Sequence, residues 1–469
     1  NTPIPIQRNY LTTVMGPVLT DANSITVVVN DAFANLPQDD PGKWNPEDDK
    51  YDVELISGTK TETVVLKSGK YVFDDVTIKV ADGNAIEVEG DVVIDVMGVM
   101  TLDSKGGIVV KNGSLVINGV VETRGAERAG ILKVETEEGS AIGGSNITIQ
   151  NLAGLTAKAN GKHAFGIGAE DATVVIKNTK IDYVAGGHVQ ATLADDDTWG
   201  KKAPEGGAAI GGANVTIENS EIVKAEGGSK AAAIGNKYWA ATNIVIKGST
   251  LGDIFGGNAS AAIGGSRYNK ENKQSINIVI EGSTITNAVG GTYGAGIGSG
   301  YDTYCATNDS NAVNKIEIST STITAKGGKY AAGIGTGHHA AALTGSIDAA
   351  SKINATSGDE SYCDESGYGR LNTVAQGIGY GSVDANCEFK GAVVTFSVAG
   401  EVIDIPSVLV TSADGFNRAM ASVNEYINVI LGEDITVAGA TGVEFGGGDT
   451  MMIVIDGNDK TLTYTDSYR

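Results

Sequence analysis

Apolar and polar residues alternate along most of the chain in short runs, such as Asn146-Ile147-Thr148-Ile149, Thr173-Val174-Val175-Ile176, Asn214-Val215-Thr216-Ile217 and Asn243-Ile244-Val245-Ile246. Two further copies are Asn277-Ile278-Val279-Ile280 and Lys315-Ile316-Glu317-Ile318. A period of two puts successive side chains on opposite faces, so these runs predict half-buried strands rather than helices. After each comes a small polar turn and another apolar residue, as in Asn219-Ser220-Glu221-Ile222, Gly248-Ser249-Thr250-Leu251 and Gly282-Ser283-Thr284-Ile285. A Gly-Gly pair then closes the unit, at Gly186-Gly187, Gly227-Gly228, Gly256-Gly257, Gly290-Gly291 and Gly327-Gly328. Each unit opens on an Ala-Ile-Gly or Gly-Ile-Gly turn, centred on Ile142, Ile167, Ile210, Ile234, Ile263, Ile297, Ile334 and Ile378.

The shortest intervals between these isoleucines are 25 residues (Ile142 to Ile167) and 24 (Ile210 to Ile234). Four antiparallel strands of a propeller blade need roughly 40 residues at steady spacing, so the unit is too short and too variable for one. A coil of this size stacks on its neighbours in register, isoleucine on isoleucine, with glycine where the backbone needs a positive φ or a close approach. The sequence therefore predicts an all-β fold, a right-handed parallel β-helix (a solenoid) with irregular long corner loops. The longer intervals come from insertions. Four are placed between the Ile-Gly turn and the next strand: 236–242, 266–275, 299–314 and 336–373. A fifth, 188–205, follows a Gly-Gly pair.

Looser strand runs at Thr63-Val64-Val65-Leu66, Val76–Val80, Val92–Val96 and Leu115-Val116-Ile117 predict earlier coils, separated by turn pairs such as Ser68-Gly69, Asp82-Gly83 and Asn112-Gly113. Beyond Gly381 a strand pair is expected over 392–405. Asp414 offers an N-cap for a helix running to Ile427, with Phe416, Met420, Val423 and Ile427 three or four residues apart. Strands at 428–431, 435–437 and 452–455 then read as the start of a second, truncated β unit. The division expected is 1–50 for an N-terminal strand segment and acidic loop, 51–390 for the β-helix, and 391–469 for the C-terminal strands and helix.

Composition sharpens this picture. Glycine accounts for 65 of 469 residues and proline for 8, with 41% hydrophobic residues, which suits an ordered protein with many tight turns. The net charge of −23 excludes nucleic acid and anionic membrane as partners, since both are polyanionic surfaces. No apolar run reaches the roughly 18 residues of a bilayer-spanning helix. The chain opens without Met or a signal peptide and reads as a mature or trimmed fragment. Cys305, Cys363 and Cys387 form no Cys-x-x-Cys pair; a Cys305–Cys363 bridge suits an exported protein, and free thiols an intracellular one.

The N-terminal stretch Ile4-Pro5-Ile6-Gln7-Arg8-Asn9-Tyr10-Leu11-Thr12-Thr13-Val14-Met15-Gly16-Pro17-Val18-Leu19-Thr20, followed by Ile25-Thr26-Val27-Val28-Val29, resembles the closing-strand motif of fimbrillin-like surface proteins of Bacteroidetes. The likeness covers about 35 residues, on the Arg-Asn-Tyr stretch, the glycine and the Leu-Thr pair. It implies a surface lipoprotein or pilus-associated protein, outside the outer membrane, whose β-helix is an appended display domain beside other fimbrial or surface components. An ordinary capping strand is the plainer reading of the same residues.

The parallel β-helix is also the pectin-lyase-like fold of polysaccharide lyases and several glycoside hydrolases, so chemistry has to be weighed. The outward strand places Thr148, Val175, Thr216, Val245, Val279 and Glu317 form no carboxylate ladder. Lys177 and Lys247 share a column with Glu218 and Glu281, as surface ion pairs do. Asp195-Asp196-Asp197, beside Trp199, is the strongest catalytic candidate, although adjacent acids usually just solvate a loop. Asp39-Asp40 and Glu47-Asp48-Asp49 around Trp44 offer oxygen ligands for Ca²⁺ but lack EF-hand spacing, and His338-His339 is an adjacent pair without metal-ligand spacing. No other cofactor is implied.

Aromatic residues make up 6% of the chain, yet Tyr238, Trp239, Tyr268, Tyr301, Tyr304 and Tyr362 all fall in the corner insertions, with Tyr293 and Tyr330 just before Ile-Gly turns. Tyr and Trp join an apolar face to a polar tip, which suits sugar stacking or protein recognition as well as sealing a loop onto a core. The expected function is a non-catalytic adhesin or display domain binding a host or dietary glycan, or a surface protein, through these loops. The alternative is a polysaccharide lyase or glycoside hydrolase.

Overall fold

A computed structural model describes residues 54–121, 129–188, 205–237, 240–267, 275–301, 314–338, 343–358, 377–379 and 381, with shorter stretches between 394 and 465. The chain divides at Asp52/Val53, and all described residues belong to the second unit. Among them, 28 strands join one sheet, in which every pairing is parallel except the last, Val394–Val398 with Glu401–Ile403. The architecture is a solenoid-like stack of parallel coils.

Each central coil contributes three strands. The coil from Ile210 supplies the two-residue turn strand Ile210–Gly211, a first long strand Asn214–Glu218 and a second long strand Glu221–Glu226. Each pairs with its counterpart one coil on: Ile210 with Ile234, Val215 with Ile244, and Ile222 with Leu251. The register is the one the repeat predicts. It threads the turn isoleucines Ile142, Ile167, Ile210, Ile234, Ile263, Ile297 and Ile334 into one fully buried column. Identical branched side chains then pack at the inter-strand spacing of ~4.8 Å, and their burial drives the stacking.

Buried polar turns are also matched between coils. Ser220, Ser249 and Ser283 each donate to the carbonyl two residues back, at 2.8, 2.8 and 2.9 Å. Each hydroxyl also accepts the backbone N–H of the coil before, from Thr179, Ser220 and Ser249 at 3.2, 3.1 and 3.2 Å. Small hydroxyl residues recur in this turn because they satisfy a buried amide that strand pairing leaves over. On the surface, Lys177 meets Glu218 at 3.0 Å and Lys247 meets Glu281 at 2.8 Å, the column pairing expected for solvent-exposed ions.

Three expectations change. The first three early runs lie in one unbroken strand, Val64–Asn112, of 49 residues, because Gly69 and Gly83 bend the chain without taking it off the ladder, while Leu115-Val116-Ile117 lies in a separate strand beyond the Asn112-Gly113 turn. The unbroken strand pairs with Glu54–Lys60, Leu115–Gly119, Ile131–Thr136 and Ile142–Gly143, so Ile108 is a further member of the turn column. The supposed insertion 336–373 contains two long strands, Leu343–Ile347 and Lys352–Thr356, paired in register with the coil before. Gly345, Ser346 and Asn354 interrupt the β-branched alternation there and hide both strands from the sequence. Leu343–Ile347 in turn pairs in parallel with Val394–Val398, the first strand of the pair expected over 392–405.

At the C-terminus, Ser407–Val410, Tyr426–Leu431 and Met452–Asp456 form a parallel sheet, and Ile435–Ala438 pairs in parallel with Leu462–Thr465. Ala413, Phe416 and Asn417 are helical, with Phe416 N donating to Ser412 O at 2.9 Å. Ile427, expected to end that helix, is instead in the strand Tyr426–Leu431. Among the described residues no helix is long and apolar enough to cross a membrane, which says nothing of membrane-crossing strands.

Candidate functional site

The turn strands form a sharp edge. The chain doubles back around those at Ile234, Ile263, Ile297 and Ile334, with Ala232 N donating to Asn236 O at 3.0 Å, Ala261 N to Gly265 O at 2.8 Å, Ala295 N to Ser299 O at 3.0 Å and Ala332 N to Thr336 O at 3.0 Å. Only a small or absent side chain fits such a bend. A Cβ on Gly298, at φ +138°, would stand 1.8 Å from Gly335 O of the next coil. This requirement explains the Ala-Ile-Gly and Gly-Ile-Gly signature.

A β-turn precedes each bend, closed by Ala231 N to Gly228 O at 3.0 Å and, in later coils, Gly294 N to Gly291 O at 2.8 Å and Ala331 N to Gly328 O at 3.0 Å. A positive φ at the third residue alone makes these type II turns, which ordinarily favour glycine there. Here that place holds His163 (+55°), Lys230 (+63°), Ala259 (+63°), Tyr293 (+71°) and Tyr330 (+64°). Left-handed backbone on a bulky residue costs about 1 kcal/mol or more, so these side chains are held against a local preference.

Two ring columns meet along this edge. Tyr293 and Tyr330, at the same turn place in adjacent coils, stack with centroids 5.8 Å apart and planes within 5°. The second column stands four residues beyond the turn isoleucine, where Arg267, Tyr301 and His338 follow one another. Tyr301 stacks on His338 at 5.6 Å and 10°, and the Arg267 guanidinium lies 5.6 Å from the Tyr301 ring centre. Tyr293 also touches Tyr301 and His338, both at 5.4 Å, and Tyr330 touches His338 at 5.2 Å. Backbone bonds lock the two columns together: Tyr301 N to Ala259 O and His338 N to Tyr293 O, both 2.9 Å. Arg267, Tyr301 and His338 are buried, at 5%, 3% and 4% exposure, whereas Tyr293 and Tyr330 are half-exposed.

Lower on the same edge the chemistry is ionic. Glu205, which resumes the coil after the 188–205 insertion, accepts from His163 Nε2 at 3.1 Å, and its carbonyl accepts from His163 N at 3.0 Å. Burial holds the His163 imidazole below its ordinary pKa, outweighing the attraction of Glu205, and its Nδ1 is buried with no hydrogen-bond partner. Asn236 closes the next loop, donating to Glu170 O and Ala241 O at 2.9 Å each, while Lys237 pairs with Glu170 at 2.8 Å.

Of the residues singled out from sequence, Tyr301 lies in the ring cluster. Asp195, Asp196, Asp197, Tyr238, Trp239, Tyr268, Tyr304 and Tyr362 fall outside the described residues, as do the three cysteines, His339 and the acidic pairs proposed for Ca²⁺. Arg267 and the ring role of His338 were missed. Counting four residues from each turn isoleucine would have found both.

No protein-family model, no curated protein and no solved structure matches this chain. Fold and edge together define its class: a repetitive parallel-β, solenoid-like protein with an aromatic seam along one edge.

Proposed function

We propose that the chain is a non-catalytic recognition protein of the bacterial cell surface, built on a right-handed parallel β-helix. Its sharp edge would present aromatic side chains to a host or dietary glycan or to a surface protein. Right-handed winding is the reading favoured by physics, since crossovers between parallel strands take that hand in ~98% of cases. The surface assignment is supported by the likeness of residues 4–29 to fimbrillin-like closing strands. The observation that carries recognition is the pair Tyr293 and Tyr330: two half-exposed rings in strict register, each held where glycine would cost less. Backbone strain kept at a surface position marks a side chain retained for what it contacts.

The test is an array of plant and host glycans and matrix proteins, probed with the wild type and with Tyr293→Ala/Tyr330→Ala. The expected result is a bound class whose affinity falls about tenfold or more in the double variant, the worth of two aromatic contacts. An array on which no bound class weakens in the double variant, or release of new reducing ends or unsaturated sugars from any bound polysaccharide, would overturn the reading.

A further inference from the structure

Away from the edge, the second long strands carry a feature the repeat does not require. In four successive coils, Lys180–Ala185, Glu221–Glu226, Thr250–Phe255 and Thr284–Val289, two consecutive residues stand outward between buried ones. The pairs are Asp182-Tyr183, Val223-Lys224, Gly252-Asp253 and Thr286-Asn287. The flanking strands Gly154–Lys158 and Thr322–Lys326 have a single outward residue there, and the register slips by one at both borders. This is a stack of β-bulges, a device that re-aims side chains. Gly252 is needed within it, since a Cβ would meet Val223 O at 2.3 Å.

The bulges gather a mixed surface. Tyr183 donates its hydroxyl to Glu226, which also takes Lys224 at 2.9 Å. One coil on, Asp253 accepts from Asn287 at 2.8 Å. Lys224 lies 5.5 Å from the Tyr183 ring centre and 5.8 Å from that of Phe255, which is half-exposed, and Val223 is exposed beside them. Burial first, and Glu226 second, push the Tyr183 phenol well above its ordinary pKa, so it stays a donor at physiological pH.

We propose that the stacked bulges form a second binding site, for a neutral polysaccharide lying across the coils, with Phe255 and Tyr183 as stacking groups and Glu226, Asp253 and Asn287 as hydrogen-bonding groups. Rings flanked by planar polar groups match the apolar faces and hydroxyl rims of sugars. Charge selects the neutral class. Lys224 is paired with Glu226, Lys158 lies 3.9 Å from Glu135 and Lys180 lies 3.8 Å from Asp182, while Asp253 is exposed and the whole chain carries −23. A polyanionic glycan would meet net repulsion.

This site does not depend on the edge, and affinity electrophoresis can separate the two. The full chain is run in gels containing galactomannan, xyloglucan or polygalacturonate, as wild type, Phe255→Ala, Tyr183→Phe and Tyr293→Ala/Tyr330→Ala, with circular dichroism confirming each fold. Phe255→Leu, which keeps apolar bulk without a ring, replaces the alanine variant should that fail to fold. The expected result is retardation by a neutral polysaccharide, weakened about tenfold by Phe255→Ala and about threefold by Tyr183→Phe, and unchanged in the edge variant. Wild-type mobility unaltered in both neutral gels would overturn the site. So would retardation by polygalacturonate alone, retardation that survives the Phe255 change, or loss confined to the edge variant.

Discussion

A glycine in this chain is either structural or replaceable, and its surroundings say which. Gly298 has φ +138° and a neighbouring coil's carbonyl where a side chain would start, whereas Gly282, at φ +56°, has nothing within 4 Å of a built Cβ. Gly298→Ala should cost about 2–4 kcal/mol in chemical denaturation, and Gly282→Ala about 1 kcal/mol. Equal costs would mean the edge is looser than described. His163 gives a pH-dependent counterpart. Its folded pKa lies below the ordinary value of 6.5, so the unfolded chain takes up the proton first. The stability tied to neutral His163 is complete above that ordinary value and is lost as pH falls through the folded one. Thermal melts of wild type and His163→Asn should therefore converge, or cross in favour of the variant, between about pH 7 and pH 5. A difference that does not change with pH would contradict the assignment. At this scale the sequence was only partly legible. The glycine signature was plain from Ala-Ile-Gly, but the left-handed turn place was not, since His163, Lys230 and Tyr330 share no chemistry that advertises it.

Strands were legible wherever β-branched residues alternate cleanly, as in Asn243–Ile246, and illegible where they do not. Leu343–Ile347 takes its place because the coil before offers an open ladder, not because Gly345 and Ser346 favour it. Tertiary pairing overrides local propensity there. The apolar spacing from Phe416 to Ile427 gave the opposite error, since its last residue also fits a pleated strand. Between elements, the serine ladder is the joint to test. Ser249 is 2% exposed, donating to Lys247 O with Ile217 O as a longer second acceptor, and accepting from Ser220 N. Ser249→Ala leaves a buried amide unsatisfied and should cost about 1–3 kcal/mol, with hydrogen exchange at the Ser220 amide accelerated. Thr250→Ala, on the exposed side of the same turn, should cost less than about 1 kcal/mol. A Ser249 change as mild as that would show that the ladder contributes no stability.

For the whole molecule, register is the property from which the rest follows. It stacks identical isoleucines inside, lines up Tyr293 with Tyr330 and the buried Tyr301 with His338 along the edge, and sets the four bulges above one another. The repeat period showed that coils stack; which residues of different columns touch was hidden, because the contact of Tyr293 with Tyr301 depends on how sharply the chain bends at the edge. The edge exists only if neighbouring coils pair residue for residue. Asn243 and Asn277 are paired across adjacent coils, with Asn277 Nδ2 donating to Asn243 Oδ1 at 2.8 Å, and both side chains face outward. With the three native cysteines changed to serine, Asn243→Cys/Asn277→Cys should form an intramolecular disulfide under mild oxidant, because parallel neighbours lie ~4.8 Å apart, within disulfide reach. Asn243→Cys/Glu281→Cys, four residues out of register and so roughly 13 Å further along the strand, should not. Bridging of the second pair, or failure of the first in folded protein, would contradict the in-register stack and the edge built on it.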